Sequence, residues 1–224
     1  MNVLETRSLL DYQQTMAAPL LETVRFPWEA LPKIKEFLLQ LGPSLPSEEY
    51  EQKGDGVWVA RSARVAPTAC LCGPLIVGKN AEIRHCAFIR GNAIIGEGAV
   101  VGNSTELKNV ILSNGVQVPH YNYVGDSILG YKAHMGAGSI TSNVKSDKTL
   151  VTIASPEGII ATGLKKMGAI LGDFVEVGCN SVLNPGTVVG RNSSIYPLSM
   201  VRGFVPADHI YKKQGEVVLR EKRG

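Results

Sequence analysis

Aliphatic residues recur at every sixth position through the middle of the chain. The first series runs without a miss through Val59, Val65, Leu71, Val77, Ile83, Ile89, Ile95, Val101 and Leu107. Small residues stand two positions before most of them, at Ala63, Ala69, Ala81, Ala87, Ala93, Ala99 and Thr105. A period of six fits neither the α-helix nor simple strand alternation, but it is typical of a parallel β-helix whose triangular coils each contain three hexads. The pattern therefore predicts an all-β solenoid in which the aliphatic side chain of each hexad points inward.

The six-residue step slips in one region and stops in another. Five-residue steps occur in the series Leu112, Val118, Val124, Leu129, Met135 and Ile140. The step is absent from about residue 143 to about residue 166, and it returns at Leu171, Val177, Leu183, Val189, Ile195 and Val201. A non-repeating stretch of this length inside a compact domain is usually functional or disordered. We expect an insertion loop at about 143–166 that contains a short strand over residues 149–153.

Residues 1–54 have a helical rather than a hexad pattern. Pro27 opens a predicted helix whose apolar residues recur at helical spacing as far as Leu41, where Gly42 and Pro43 end it. A second helix is expected over residues 9–24. Because the end of a solenoid has to be covered, we expect this segment to form a helical cap. The predicted domains are the N-terminal helical cap (1–54), the β-helix (55–205) and a basic C-terminal tail (206–224).

Composition and charge narrow the class of protein. The 224 residues are 44% hydrophobic but only 6% aromatic, with 24 glycines, which suits a narrow core built without large rings. The net charge of +3 favours small anions over nucleic acid, which usually needs a clustered basic face. No apolar run approaches the length of a membrane span, the N-terminus lacks the order of a signal peptide, and four cysteines are too few for a disulfide framework. These features predict a cytoplasmic protein.

Polar residues concentrate where the hexad step slips. Three motifs stand there: Gly-Asn-x-x-Glu-x-Lys at 102–108, His-x-x-Tyr-x-Gly-Asp at 120–126 and Gly-Ala-Gly-x-Ile-Thr-x-Asn at 136–143. A coil takes about 18 residues, and neighbouring strands lie about 5 Å apart. Glu106 and His120 are therefore expected within hydrogen-bond reach. Arg90 stands one coil before Lys108, and these two cations predict an anion site.

These motifs resemble the acetyltransferase half of the bifunctional glucosamine-1-phosphate N-acetyltransferases/N-acetylglucosamine-1-phosphate uridyltransferases. They are also similar to related archaeal sugar-1-phosphate nucleotidylyltransferases. The likeness covers roughly residues 59–202, and its specific part runs from Arg90 to Asn143. It implies a left-handed parallel β-helix, a homotrimer with active sites between subunits, and acetyl-CoA as the acyl donor.

The resemblance also implies roles for individual residues. His120 matches the general base and Glu106 the carboxylate that orients it. The acceptor contacts match Arg90, Lys108, Tyr123 and Asn143, and the acetyl-CoA site matches Ala137, Arg202 and Lys148. The chain has His134 and Val144 where the family commonly has asparagine and tyrosine near the sugar, so His134 is a candidate substituted contact. The chemistry agrees, because an amine must lose a proton as it attacks a thioester and a histidine can accept one near neutral pH.

The sequence thus predicts an acetyl-CoA-dependent N-acetyltransferase for an amino-sugar phosphate. Uridyltransferase activity is not expected, because no glycine-rich nucleotide signature precedes Val59. One alternative is a non-catalytic trimeric scaffold that binds a sugar or a nucleotide sugar. A zinc carbonic anhydrase needs three convergent histidines, which His85, His120 and His134 are not expected to supply, and no metal is predicted.

Overall fold

Short strands dominate the computed structural model, which describes residues 2–213 and 216–219. The first strands are β1 Tyr50–Gly54, β2 Val57–Ala60, β3 Arg64–Val65, β4 Cys70–Leu71, β5 Leu75–Val77, β6 Glu82–Ile83, β7 Phe88–Ile89, β8 Ala93–Ile95, β9 Val100–Asn103, β10 Glu106–Leu112, β11 Gln117–His120, β12 Tyr123–Leu129, β13 His134–Met135 and β14 Ile140–Thr141. The others are β15 Thr152–Ser155, β16 Gly158–Ala161, β17 Ala169–Leu171, β18 Glu176–Val177, β19 Val182–Leu183, β20 Thr187–Val189, β21 Ser194–Ile195, β22 Met200–Val201, β23 Phe204–Val205, β24 His209–Lys213 and β25 Glu216–Leu219.

The strands stack into the three faces of a parallel β-helix. Face 1 consists of β3, β6, β9, β11, β13, β18, β21 and β24, with β25 antiparallel at its edge. Face 2 consists of β4, β7, β14, β19 and β22, and face 3 of β2, β5, β8, β17, β20 and β23, with β1 antiparallel at its edge. β10 and β12 each run from face 2 into face 3 and join both in one sheet. The predicted all-β solenoid is confirmed.

The core inside the prism follows the predicted hexads. Aliphatic residues from Val59 to Val205 form one buried cluster, and small residues such as Ala81, Ala87 and Ala99 are buried beside them. One predicted core residue is wrong. Thr141, which is fully buried and pairs with Val124, takes the inward place expected for Ile140. Its hydroxyl accepts a hydrogen bond from Gly125 N at 2.9 Å, which satisfies a polar group within the core.

The five-residue steps that the structure retains form shortened corners. Ile95 pairs with Leu112 and Leu112 with Leu129, so two successive coils contain 17 residues each. Each of these coils is one residue shorter than a regular coil at the corner between faces 2 and 3. Asn109 and Asp126 form the bend there. Their φ values are +55° and +47°, in the left-handed region that Asn and Asp adopt more readily than most residues.

The N-terminal segment lies along face 3, and its expected place at the end of the solenoid is wrong. Its α-helices are α1 Thr6–Leu9, α2 Ala18–Leu21 and α3 Ile34–Leu41, with 3₁₀ turns at Tyr12–Gln14, Pro27–Lys33 and Gly42–Ser44. They pack against the outward side chains of face 3, which are Trp58, Ile76, Ile94, Ile111, Ile128, Ile170 and Val188. An aliphatic exterior on one face requires such a cover, because uncovered it would be a large apolar patch.

The single helix expected over residues 9–24 is broken in the structure. The Asp11 carboxylate accepts a hydrogen bond from Gln13 N, and the Thr15 hydroxyl accepts one from Ala17 N. Such local bonds compete with helical ones and favour turns. No helix among the described residues is both long and apolar enough to cross a membrane.

The insertion forms a hairpin, β15 and β16, rather than one strand over residues 149–153. It starts at the corner after Asn143 and packs on face 3, where Val151, Ile153 and Met167 join the cluster under the helices. The Gly186 and Gly203 backbones lie against it, since a Cβ on Gly186 would meet Thr152 O at 2.6 Å. The hairpin therefore packs closely beside the corner between faces 2 and 3.

The β-helix continues past residue 205, so the predicted start of the tail is wrong. β24 pairs in parallel with β21, and Tyr211 on it is 6% exposed and belongs to the core. Its hydroxyl donates to Met200 O at 3.0 Å, which joins β24 of face 1 to β22 of face 2. The basic tail residues Arg220, Lys222 and Arg223 lie outside the described residues.

Candidate functional site

A buried carboxylate organises the shortened corner between faces 2 and 3. Asp126 is 4% exposed, and Lys108 Nζ lies 3.2 and 3.1 Å from its two oxygens. Asn109 Nδ2 donates to Oδ1 at 2.9 Å, and Asn143 Nδ2 donates to Oδ2. The motifs therefore meet in space at Asp126, the last residue of the second motif.

Arg90 lies in the same row as Lys108 and has its own carboxylate partner. Its Nη1 is 2.7 Å from Glu106 Oε1, and this contact raises the pKa of the Arg90 guanidinium. The expected stacking of the two cations is present, since Arg90 N donates to Leu107 O in the next coil. We expected a bound anion to balance the charges of Arg90 and Lys108. In the structure, Glu106 and Asp126 of the same chain balance them.

Tyr123 and Asn143 complete the cluster. Asn143 Nδ2 donates to the Tyr123 hydroxyl at 3.3 Å. Burial raises the pKa of Tyr123, and the nearby Asp126 and Glu106 carboxylates raise it further, so the phenol stays protonated and available as a donor. Both side chains pass over Gly125, where a Cβ would lie 2.6 Å from the Tyr123 hydroxyl.

His120 stands at the other edge of face 2, at the corner with face 1. Its side chain is exposed, and within the described residues no hydrogen bond joins its ring to Glu106, whose carboxylate is bound to Arg90 instead. The expected Glu106–His120 contact is therefore not formed in the chain. The His120 backbone is fixed, because its N–H donates to Asn122 Oδ1 at 3.1 Å and its carbonyl accepts from Gly138 N. Ala137 lies beside it in the next coil, and its carbonyl accepts from Asn180 N at 2.8 Å.

His134 does not join the Asp126 cluster. It lies on face 1, where its Nδ1 is 2.8 Å from Glu176 Oε2 in the neighbouring coil. Within the chain, His134 is therefore not close to the residues predicted to contact the sugar. No group of three His, Cys, Asp or Glu side chains that could hold a metal ion occurs in residues 2–213 or 216–219.

Arg202 lines a cavity of about 380 Å³ between the insertion and the last coils. Lys145 is the second cation of this cavity, whereas Lys148, the predicted lysine, lies in a turn and is not one of its lining residues. The other walls are Ser142, Val144, Ser146, Asp147, Thr152, Ala154, Ile159, Asn184, Pro185 and Gly203. The predicted lysine, Lys148, is three residues past the lysine that lines the cavity, Lys145. Both lie in the insertion, where no hexad repeat fixes the position of a residue.

One row of residues connects the cavity to the Asp126 cluster. Strand pairing aligns Arg90, Lys108, Gly125, Ser142, Asn184 and Arg202 along the corner between faces 2 and 3. At about 4.8 Å between strands, the row is about 24 Å long. A ligand with an anionic group at each end could therefore lie along it.

Sequence reasoning missed three residues of this region. Asp126 and Asn109 were detectable as the two polar residues at the five-residue steps, where a bend must replace a hexad corner. Lys145 has no repeat signal, because it follows the last hexad residue before the insertion.

The hexads, the corner cluster and the insertion define a protein of the hexapeptide-repeat class. The chain belongs to the family described as the GMPPB C-terminal domain, whose model matches residues 71–196. It is 34% identical over 142 residues to the bifunctional protein GlmU of Methanococcus vannielii, a match that covers 63% of this chain and 34% of that protein. It is 32% identical over 188 residues to a putative uncharacterized acetyltransferase of Escherichia coli K12, YaiX, which covers 73% of this chain and 80% of that protein.

These relatives confirm the resemblance drawn from the motifs. The chain spans about a third of the length of the GlmU protein from M. vannielii. Among solved structures, it is similar to a hexapeptide transferase family protein from Anaplasma phagocytophilum, with a TM-score of 0.40 and 17% identity over 75% of this chain and 81% of that chain.

Proposed function

We propose that the chain is an acetyl-CoA-dependent N-acetyltransferase that acts on an amino-sugar phosphate. The observation that carries this proposal is the row along one corner, which joins the paired cations Arg90 and Lys108 to the cavity at Arg202. The acetyltransferase name of the relative YaiX supports the same class of reaction.

The cluster end of the row suits the acceptor. The Arg90 and Lys108 side chains are 46% and 27% exposed, so a phosphate can reach both without unfolding the corner. Guanidinium and ammonium groups form strong charge-assisted hydrogen bonds with phosphate. Tyr123 and Asn143 add neutral groups for sugar hydroxyls.

The cavity end of the row suits the donor. Coenzyme A carries phosphate groups, and Lys145 and Arg202 are cations in a cavity that also presents Ser142 and Asn184. Lys145 Nζ is also 3.5 Å from Asp147 Oδ2, so Arg202 is the main cation of the cavity for an anionic acyl donor. When bound, the donor supplies an activated thioester.

His120 is proposed as the base. Because it stands at the opposite edge of face 2 from the row of its own chain, it would act on an acceptor held by the row of a neighbouring subunit. The amine nitrogen forms a bond to the thioester carbonyl carbon, His120 takes a proton from that nitrogen, and the carbon–sulfur bond breaks. The proton then passes to the departing thiolate, so the products are an amide and free thiol, and no oxidant is needed. A histidine is suited to this exchange because it accepts and returns a proton near neutral pH.

A homotrimer is the proposed assembly. Apolar and aromatic side chains are exposed at Phe88, Tyr121, Leu198 and Met200, with Leu198 79% exposed. Clustered exposed apolar residues often mark association surfaces. Tyr121 follows His120 directly, so subunit contact at this corner would also enclose the base.

The test measures release of free CoA from acetyl-CoA with a panel of amino-sugar phosphates that includes glucosamine 1-phosphate. We expect His120→Ala to abolish release while circular dichroism and oligomer size stay unchanged. His85→Ala is the matched control, because His85 lies in the same row of the same corner, two coils away, and should retain activity.

Two results would count against the proposal. Full turnover by His120→Ala would remove His120 as the base. Failure of the unaltered chain to release CoA or to bind acetyl-CoA in calorimetry would favour the sugar-binding scaffold.

A further inference from the structure

We propose that Asp126 is the positioning residue of the acceptor site, holding Lys108, Asn109 and Asn143 in the arrangement that receives the acceptor. The inference rests on the proposed function only in naming the ligand as an acceptor. The juxtaposition itself is a property of the chain: three donors from the two neighbouring coils end on one carboxylate.

The hydrogen bonds show that Asp126 acts through its neighbours. Oδ1 accepts from Lys108 and Asn109, and Oδ2 accepts from Lys108 and Asn143. At 4% exposure, the carboxylate has little surface left for a substrate. The Lys108 side chain is 27% exposed, so the lysine is accessible to a ligand. The buried Asp126 carboxylate binds the lysine on its inner side.

The corner itself does not require a carboxylate. Asn109 occupies the equivalent place one coil earlier with the same left-handed backbone, at +55° against +47°. An asparagine at 126 would therefore satisfy the bend. What the aspartate adds is charge, and the residue that uses this charge is Lys108.

A fixed lysine changes what the site can recognise. Nζ lies at nearly equal distances, 3.2 and 3.1 Å, from both oxygens, which restrains a side chain that is otherwise flexible. Restraint of this kind lowers the entropy that the acceptor must remove on binding. We infer that Asp126 sets acceptor affinity and leaves donor affinity unaffected, since the donor cations Lys145 and Arg202 lie in the separate cavity.

The first experiment compares Asp126→Asn with the matched control Asp208→Asn. Asp208 also has a left-handed backbone, at +60°, and accepts from Asn192 Nδ2 at 3.1 Å, but it lies in the last coils. With glucosamine 1-phosphate as the acceptor, Asp126→Asn should raise the KM for the acceptor about tenfold or more and leave the KM for acetyl-CoA within about twofold. Asp208→Asn should change neither.

The second experiment places the effect on Lys108 by a double-mutant cycle. If Asp126 acts through the lysine, Asp126→Asn should add less than about twofold to the acceptor KM of Lys108→Met. Two results would overturn the proposal. One is a double variant whose increase in acceptor KM equals the product of the increases in the two single variants; the other is an unchanged acceptor KM in Asp126→Asn.

A third measurement needs no turnover and separates this proposal from the proposed function. Acetic anhydride labels free amines, and peptide mass spectrometry reports the rate at Lys108 relative to exposed Lys35. We expect this ratio to rise at least about threefold in Asp126→Asn, because the amine leaves its carboxylate. An unchanged ratio would show that Asp126 does not hold the lysine, even if the chain proves to be an acetyltransferase.

Discussion

At the scale of single residues, Gly125 provides the space in which the cluster packs. A Cβ there would lie 2.6 Å from the Tyr123 hydroxyl and 2.9 Å from Asn143 Nδ2, both at the ends of side chains that can move. Gly125→Ala should therefore cost less than about 1 kcal/mol in unfolding free energy but displace both groups. We expect a several-fold higher acceptor KM with a nearly unchanged urea midpoint.

The control for this variant is Gly54→Ala, whose added Cβ would have its nearest neighbour at 3.8 Å. It should change neither the KM nor the midpoint. A normal acceptor KM in Gly125→Ala would show that Tyr123 and Asn143 do not contact the acceptor.

The same scale shows which part of the site the sequence could predict. Coil length placed Arg90 one step from Lys108, and the motifs placed Tyr123 and Asn143 beside them. Coil length cannot say which way a long side chain turns, and Glu106 turns to Arg90 rather than to His120. The importance of Asp126 depends on four hydrogen bonds from three side chains, which no spacing specifies.

At the scale of elements, the insertion hairpin depends on glycines in the coil beneath it. Gly186 has a φ of +81°, and a Cβ there would meet Thr152 O at 2.6 Å. Gly186→Ala should therefore combine a left-handed backbone penalty of about 1–2 kcal/mol with a clash against backbone. We expect a total loss of about 2–4 kcal/mol, read as a lower urea midpoint, and faster proteolysis at the hairpin tip.

Gly98→Ala separates the two causes. Gly98 has a φ of +64°, but nothing lies within 4 Å of the position of its Cβ. This variant should show only the backbone penalty and a normal rate of cleavage at the hairpin. Equal proteolysis of the two variants would contradict the docking of the hairpin on Gly186.

Elements were predictable where a repeat enforces them. Each hexad is constrained by the coils on both sides, so the periodic series located the core strands before and after the insertion. The N-terminal segment has no such constraint, and side-chain bonds from Asp11 and Thr15 divide its expected helix into turns. The insertion is set by its contact with face 3, which the local sequence does not contain.

At the scale of the whole molecule, Asp173 joins the N-terminal segment to the β-helix. Its carboxylate accepts from Asp11 N at 2.9 Å and Tyr131 N at 2.8 Å, and Arg191 Nη2 lies 3.1 Å away. Asp173 N in turn donates to Leu9 O, so the two parts are bonded in both directions. The segment that covers face 3 is therefore held at a coil far from it in sequence.

This junction gives a prediction with a defined sign. Burial raises the pKa of Asp173 above its ordinary value of 3.8, and this outweighs Arg191 and the two N–H donors, which lower it. Between 3.8 and the raised value, the folded protein binds more protons than the unfolded chain. The free energy of unfolding of the unaltered protein relative to Asp173→Asn should therefore fall as pH rises through this window. Urea midpoints of both proteins from about pH 3 to pH 6 measure it.

Asp147 supplies the control of opposite sign, because hydrogen bonds from the Thr149 backbone and hydroxyl lower the pKa of its exposed carboxyl. Relative to Asp147→Asn, the unaltered protein should become more stable as pH rises toward 3.8, and the gain is lost again on acidification. Comparing each variant with the unaltered protein cancels the general acid sensitivity of the chain, so the two differences should slope in opposite directions. If the stability difference for Asp173 instead rose with pH, the effect of Arg191 and the backbone donors on the pKa of Asp173 would exceed the effect of its burial. The junction would then be strongest when charged, so acid would weaken the attachment of the helical cover to face 3.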